Sequence, residues 1–510
     1  MIGLIVISSG IAYFLSLPFA SLLQGTNYRV IPFLYRAKRW LSACFVGFFL
    51  SATIAALAEL FLRGVLRYVV STFVYLLNGA FTLVLHKKMR LRLTVTNRLA
   101  RMLVASIILF ILLFFPLRFV GWEFLWGALP SLSPFVLALS AVLLAPFERR
   151  NNDRYIKRAK AILDATSAIK IGITGSYGKT SVKTALEQLL SSKYDTLATP
   201  ANYNTPLGIA KALAGRDGKE QVMILEMGAR RKGDIKELCD LVTPTIGVIT
   251  GIAPQHLETF GTIDDVAKEK NELAKAVAPQ NVVYYNLTDE RVQALYDVRV
   301  GNKVGVGFEG ADRVIADVKT DDGGTCFTLK GGEEAIELQV PLFGIAAITD
   351  FAIACVIALD LGLSVEELKV RARSIHPASH RFEVMKKGGV TIIDDSYNIN
   401  PIGAAAALDS LDGFAANRRI VYVSGIVELG EETAEQNRTL GKHVASVADL
   451  AIVAESKYGE MVIEGILASA PRFAVIRVSD TSEATATFGK LLKEGDLLLI
   501  LSDLPRDYLL

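Results

Sequence analysis

Apolar residues along this chain fall into two patterns that change near residue 150. Before it, long apolar runs occupy residues 2–23, 41–62, 65–85, 103–120 and 132–145. A helix needs roughly 17–25 apolar residues to cross a bilayer core, a length that the first four runs reach and the fifth falls short of. After it, short β-branched runs alternate with amphipathic helical stretches. Strands are predicted at 170–174, 221–226, 245–249 and 281–285, then at 390–394, 420–424, 450–453 and 497–501. The expected architecture is an all-α transmembrane bundle over 1–148, followed by a charged linker over 149–165. A doubly wound α/β domain over 166–343 and a second, Rossmann-like α/β domain over 344–510 complete it.

Charge orients the first part. Arg29, Arg36, Lys38 and Arg39 follow the first run, and Lys87, Lys88, Arg90, Arg92, Arg98 and Arg101 separate the third from the fourth. Arg149, Arg150, Arg154, Lys157 and Arg158 follow the fifth, whereas the other connections hold only Arg63 and Arg67, or Arg118 beside Glu123. The positive-inside rule then predicts a multi-pass protein of the inner (cytoplasmic) membrane, its N-terminus outside and everything after residue 148 in the cytoplasm. No basic segment precedes the first run, which excludes a cleavable signal peptide. Glu59 is the main charge within the runs, and its place near the end of the second reads as snorkelling toward the interface. The module therefore reads as an anchor in the lipid bilayer, its basic loops suited to anionic headgroups.

Composition agrees. A hydrophobic content of 51% and a mean hydropathy of +0.37 are too apolar for an ordinary soluble protein. The net charge of +3 singles out no polyanionic partner, so no nucleic acid is expected. Cys44, Cys239, Cys326 and Cys355 have neither paired nor C-x-x-C spacing, which argues against a zinc site or a disulfide framework.

The chemistry begins at 171–181, IGITGSYGKTS. Gly175, Ser176, Tyr177, Gly178, Lys179 and Thr180 lie between a predicted strand and a predicted helix. There, backbone N–H groups and the positive end of the helix dipole cradle phosphate. Lys179 reaches the β/γ-phosphates, and the Thr180 hydroxyl suits Mg²⁺. Ile173 stands where the general pattern has its first glycine, and the bland alternative is a glycine-rich structural turn. Glu226 ends the strand VMILE, well placed to hold Mg²⁺. His256 follows another strand end, although a lone histidine is more often structural. Lys268 and Lys270 fall on one helix, whose bland reading is a solvated face.

Seven blocks then carry a resemblance: TGSYGKT, ATPANYNTPLG (198–208), LEMGARRKGDI (225–235), TGIAPQHLETFGTIDDVAKEKNEL (250–273), YYNLTDE (284–290), IIDDSYNINP (392–401) and VELGEET (427–433). Over roughly 165–505 the chain resembles the Mur ligase family, most closely its MurF type, which adds D-alanyl-D-alanine. The resemblance implies an ATP- and Mg²⁺-dependent, ADP-forming ligase that makes an amide through an acyl phosphate. It implies that Lys179, His256 and Lys270 are catalytic, and that Asn286, Arg381 and Asp395 join the glycine loop in binding ATP. It places Thr180, Glu226, His256 and a carbamylated Lys270 around metal. Asn202, Asn204, Tyr397, Asn398 and Asn400 then line the substrate side.

Two departures shape the expected function. The family's G-x-H-N-x-x-N hinge block is here Gly344-Ile345-Ala346-Ala347-Ile348-Thr349-Asp350, and membrane runs occupy the place of a UDP-sugar-binding domain. The C-terminal LSDLPRDYLL likewise lacks the basic, glycine-containing ending of MurF. The preferred expectation is a membrane-anchored ligase joining an amino acid or dipeptide to a carboxylate on a peptidoglycan-type, lipid-linked envelope precursor, alongside other wall-synthesis proteins. The alternatives are conventional D-alanyl-D-alanine addition to UDP-MurNAc-tripeptide, a poly-γ-glutamate-type synthetase, and a non-catalytic ATP-binding scaffold.

Overall fold

Each of the five apolar runs holds a helix: α1 (Ile2–Gly25), α2 (Val30–Phe61), α3 (Val65–Met89), α4 (Asn97–Phe114) and α5 (Ser133–Ala165). The computed structural model describes residues 2–26, 28–62, 65–89, 93–119, 128–201, 203–321, 323–332, 334–397 and 399–502. Among them, three helical stretches are long and apolar enough to cross a membrane by length and composition: Val30–Phe61, Asn97–Leu117 and Leu129–Ala165. The predicted linker is the second half of α5 rather than a separate segment.

Leu15, Phe19, Leu23, Phe33 and Leu99 form the inside of this helical unit, while Phe45, Leu60, Phe61 and Leu112 face outward. Glu59 is exposed on α2. Buried polar groups link the helices: Asn78 donates to the Ser51 hydroxyl at 3.2 Å and accepts from Ser131, a type of contact that holds apolar helices together. Glu148 is buried and accepts from Arg101 Nε and Nη2 at 2.8 and 2.7 Å. Arg98 stacks over Tyr28 at 4.1 Å. Arg98 and Arg101, two of the basic groups expected on one side, therefore meet at Glu148.

Two compact units divide between Asp153 and Arg154. In the second, a nine-stranded sheet comes first. Its strands and helices run β1 (Ile169–Thr174), α6 (Lys179–Leu190), β2 (Thr196–Ala198), α7 (Pro206–Ala212), β3 (Val222–Glu226), α8 (Asp234–Val242), β4 (Ile246–Ile249), α9 (Leu257–Phe260), α10 (Ile263–Ala276), β5 (Val283–Asn286), α11 (Glu290–Val298), β6 (Lys303–Gly307), β7 (Arg313–Asp321), β8 (Gly324–Lys330) and β9 (Ile336–Val340). The spatial order is β2-β3-β1-β4-β5-β6-β7-β8-β9. Strands pair in parallel up to β7, and β7, β8 and β9 form an antiparallel meander. The central strands are buried on both faces, which is why they read as continuous apolar runs. The meander was not expected: β7 has a single buried residue, Ile315, and β9 alternates buried with exposed residues.

Helices α12 (Ile345–Asp360) and α13 (Val365–Ala372) follow. From Ile348 to Ala358 every residue of α12 is buried, in one cluster with β1 and α6. Helix α12, which follows the domain change expected at 343/344, thus packs into the first sheet's core, because its largely apolar surface needs a core around it. The rest comprises β10 (Glu383–Lys387), β11 (Val390–Asp394), α14 (Pro401–Asp409), β12 (Arg418–Val423), α15 (Thr433–Val447), β13 (Leu450–Ala454), α16 (Lys457–Ser469), β14 (Ala474–Val478), α17 (Thr481–Leu491) and β15 (Asp496–Leu501). This sheet has the order β10-β11-β15-β12-β13-β14, parallel except for β10. All eight predicted strands are present, within two residues at each end.

Candidate active site

The site grows from the carboxyl end of β1. Gly178 caps α6 with φ 80°, and a Cβ there would lie 2.5 Å from Asp350 Oδ1, so only glycine fits. The loop is braced from behind. Ser176 N–H donates to Gly251 O at 2.6 Å, and the Tyr177 hydroxyl donates to Asp289 Oδ2 at 2.9 Å. Asp289 also accepts from Ile252 N–H and caps α11, a role that its place before ERVQAL signals in the sequence. Lys179 folds back onto Gly175 O at 2.7 Å. Burial, opposed by Glu226 and reinforced by Arg381, lowers its ammonium to about 8.

Parallel pairing sets Ile173 beside Glu226, so the end of β3 meets the start of the loop. The Glu226 carboxylate gathers three donors: Thr180 Oγ1 at 3.1 Å, Lys183 Nζ at 3.2 Å and Asn204 Nδ2 at 3.3 Å. Burial raises this carboxyl, but Lys179, Lys183 and the Asn204 hydrogen bond outweigh that and hold it below the usual range. Thr180 and Glu226 form a hard oxygen pair that fits Mg²⁺, an ion usually held by one or two protein oxygens, phosphates and water. Among the described residues no three His, Cys, Asp or Glu side chains cluster as a closed metal cage.

The other expected residues divide. Lys270 is buried on α10 while Lys268 is exposed. Burial, with the charge of Lys179 beside it, lowers the Lys270 ammonium to about 7, against the pull of Glu269, Asp234 and Glu226. His256, left-handed at φ 54°, pairs through Nδ1 with Glu428 of the second sheet's domain rather than with Glu226. Asn286 is buried; it donates to Thr250 O at 2.7 Å and accepts from the Thr288 N–H and hydroxyl. Its amide therefore secures the β4 and β5 ends. Asn400 caps α14 by accepting from Gly403 N–H at 2.9 Å, the helix-start signal of Asn before Pro. Asn202 and Asn398 lie outside the described residues.

Arg381 lies close enough to the loop for its charge to reach Lys179, and Asp395 lies beside Arg381. Arg381 stacks over Tyr397 at 4.3 Å, and its charge acts on Lys179, Asp350 and Asp395. His380 and Phe382 on either side are both left-handed, at φ 60° and 48°. They are held by His380 Nδ1 on Asp394 at 2.7 Å and by Phe382 N–H donating to Asp395 at 3.2 Å. Such backbone strain persists only where neighbours enforce it. Burial pushes the Asp395 carboxyl up to about 6.

Two side chains at this site were not foreseen from sequence, Lys183 and Asp350. Asp350 sits under Gly178 and bonds Ser181. Burial raises its carboxyl to about 7, against Arg381, Ser181 and Lys179. The folded state then holds a proton that the unfolded chain has lost, so this contribution to stability fades as pH rises from about 4 through 7. Asp350→Asn is expected to be more stable than the parent at pH 8, with the gain shrinking steadily below pH 7 and vanishing toward pH 4, as read by thermal denaturation across pH.

Comparison with known proteins follows the same two sheets. The Mur ligase middle domain matches residues 173–358 and the Mur ligase, glutamate ligase domain matches 380–504. The UDP-N-acetylmuramoyl-tripeptide--D-alanyl-D-alanine ligase of Mycobacterium tuberculosis (strain ATCC 25618 / H37Rv) is 31% identical over 353 residues, 65% of this chain and 69% of that protein. The enzyme of the same name from Bacillus subtilis (strain 168) is 26% identical, covering 67% of this chain and 74% of its own. Among solved structures, MurF ligase from Thermotoga maritima in complex with ADP superposes with a TM-score of 0.64 at 26% identity, over 70% of this chain and 81% of that one.

Proposed function

This chain belongs to the Mur ligase family of ATP-dependent amide ligases, and from that premise we propose a membrane-anchored, MurF-like enzyme of peptidoglycan synthesis. It would join D-alanyl-D-alanine or a related amino acid to a carboxylate on a cell-envelope precursor held at the cytoplasmic face of the membrane. One observation supports this most: at the carboxyl end of β1, Thr180 is bonded to Glu226, Lys179 acts on that carboxylate, and the Lys179 ammonium also feels the charge of Arg381 from the second domain. Phosphoryl transfer to a carboxylate crowds negative charge, and catalysis then rests on positioning and cationic neutralisation. In the proposed sequence the substrate carboxylate attacks the γ-phosphorus and ADP leaves. The incoming amine then attacks the acyl carbon, loses a proton and expels phosphate, which forms the amide. Mg²⁺, held by Thr180 and Glu226, would add neutralising charge at the phosphates.

Lys270 takes part as a carbamate in this reading. Its amine must be neutral to react with CO₂, releasing a proton, and a value of about 7 leaves much of it neutral near physiological pH. Activity is expected to fall several-fold between pH 7.5 and 6 in CO₂-depleted buffer, and to recover on adding bicarbonate. An activity indifferent to bicarbonate at both pH values would exclude the carbamate.

The anchored reading draws on the helices before Asp153, which the family domains leave uncovered. The names of the relatives favour a second reading, conventional addition to UDP-MurNAc-tripeptide. Detergent-solubilised full chain given ATP, Mg²⁺ and D-alanyl-D-alanine, with either that nucleotide precursor or a membrane lipid extract, separates the two by product mass. ATP hydrolysis that ignores every amine and carboxylate acceptor would overturn both.

A further inference from the structure

Lys183 lies one helical turn beyond Lys179 on α6 and is 3% exposed, unusual for a lysine. Its ammonium faces Glu226 Oε2 at 3.2 Å and donates to Ala201 O at 2.8 Å. Ala201 is left-handed at φ 42°, a conformation that a residue with a Cβ holds only under constraint. From the same loop Asn204 donates to the other Glu226 oxygen, Oε1, at 3.3 Å. One carboxylate therefore serves two sides: the nucleotide loop through Thr180, and the loop carrying Ala201 and Asn204 through Lys183.

We propose that Lys183 is a positioning residue that couples nucleotide loading to the Ala201–Asn204 loop. Without a divalent cation, the ammonium neutralises Glu226 and pins the loop through Ala201 O. A cation arriving at Glu226 and Thr180 competes for the oxygen that Lys183 faces and repels the ammonium. Lys183 withdraws, and the loop loses its anchor. Nucleotide loading then precedes rearrangement on the acceptor side. The proposal rests on the Mg²⁺–nucleotide reading of the site, and it assigns Lys183 no contact with reacting atoms.

Hydrogen–deuterium exchange on the full chain in detergent tests it, followed in the peptide spanning 199–208. That peptide includes the Tyr203 amide, bonded to Pro200 O at 3.0 Å. In the parent, β,γ-methylene-ATP with Mg²⁺ should speed exchange of this peptide about tenfold, and the analogue with EDTA should leave it slow. Lys183→Met should exchange fast in every condition, while Lys183→Arg should restore nucleotide-free protection. A buried lysine of purely structural use would lower stability without making exchange depend on Mg²⁺. Parental protection in nucleotide-free Lys183→Met overturns the proposal. So does a parental peptide that ignores Mg²⁺ while peptide 175–181 becomes protected by the analogue. If 175–181 is never protected, it is the nucleotide reading that fails, and the nucleotide-free comparison of parent with Lys183→Met still decides the role of Lys183. The parent's Mg²⁺ response needs no variant, so misfolding of Lys183→Met leaves the test standing.

Discussion

Replacing Lys179 by Ala should lower ATP-dependent ligation on the order of 10³-fold while leaving the protein folded. The ammonium sits at the start of α6 and, among the described residues, hydrogen-bonds Gly175 O and Ser176 O, while Glu226, which also feels its charge, keeps Thr180, Lys183 and Asn204 after its loss. What disappears is a cation aimed at charge that grows during phosphoryl transfer, and single donors in such positions contribute about 10²–10³ in rate, with dedicated cations reaching more. Its ligand-free value of about 8 reflects burial next to Arg381. A bound triphosphate reverses that balance and keeps the ammonium charged. The check is kcat from coupled ADP release, together with a thermal melt. An unchanged kcat would place phosphoryl transfer elsewhere and favour the non-catalytic scaffold reading.

The second large effect concerns stability. Glu226→Ala should lower the apparent Tm of the full chain by on the order of 10 °C, because it strands Lys183. Removing one partner of a buried ion pair destabilises by about 3–5 kcal/mol, since the remaining charge stays in a poor solvent. Both side chains are nearly inaccessible, at 4% and 3% exposure. The diagnostic variant is the double change Glu226→Ala with Lys183→Met, which removes the stranded charge and should recover most of the loss. Non-additivity of this size is expected only of residues in contact. A double variant no more stable than Glu226→Ala would show that Lys183 finds water once its partner is gone.

Much of the fold and of the site is legible in the sequence. The G-x-x-G-K-T loop, Glu226 at a strand end and the apolar runs all follow from local rules. A strand-to-helix turn requires glycine at Gly178, and a doubly covered sheet requires unbroken β-branched runs. The helix over α5 and all eight predicted strands were likewise fixed by periodicity over neighbouring residues. Asn286 and Asn400 belong to blocks typical of the family, and each also has its side-chain amide bound to backbone, one across strand ends and one at a helix start.

Other features depend on pairs distant in sequence. Lys183 reads as one more lysine on an amphipathic helix until the pairing of β1 with β3 brings Glu226 and the Ala201 carbonyl to it. Asp350 belongs to a block that had lost its expected His and Asn residues, and only the burial of α12 against α6 puts its carboxylate beneath Gly178. The His256–Glu428 pair joins residues 172 positions apart. By itself, then, the sequence determined the helices, the central strands, the phosphate loop and the family, since each is written in residues close along the chain. Tertiary structure alone decided which buried charges meet, because the energy of a buried charge depends on partners that only the packed sheets supply.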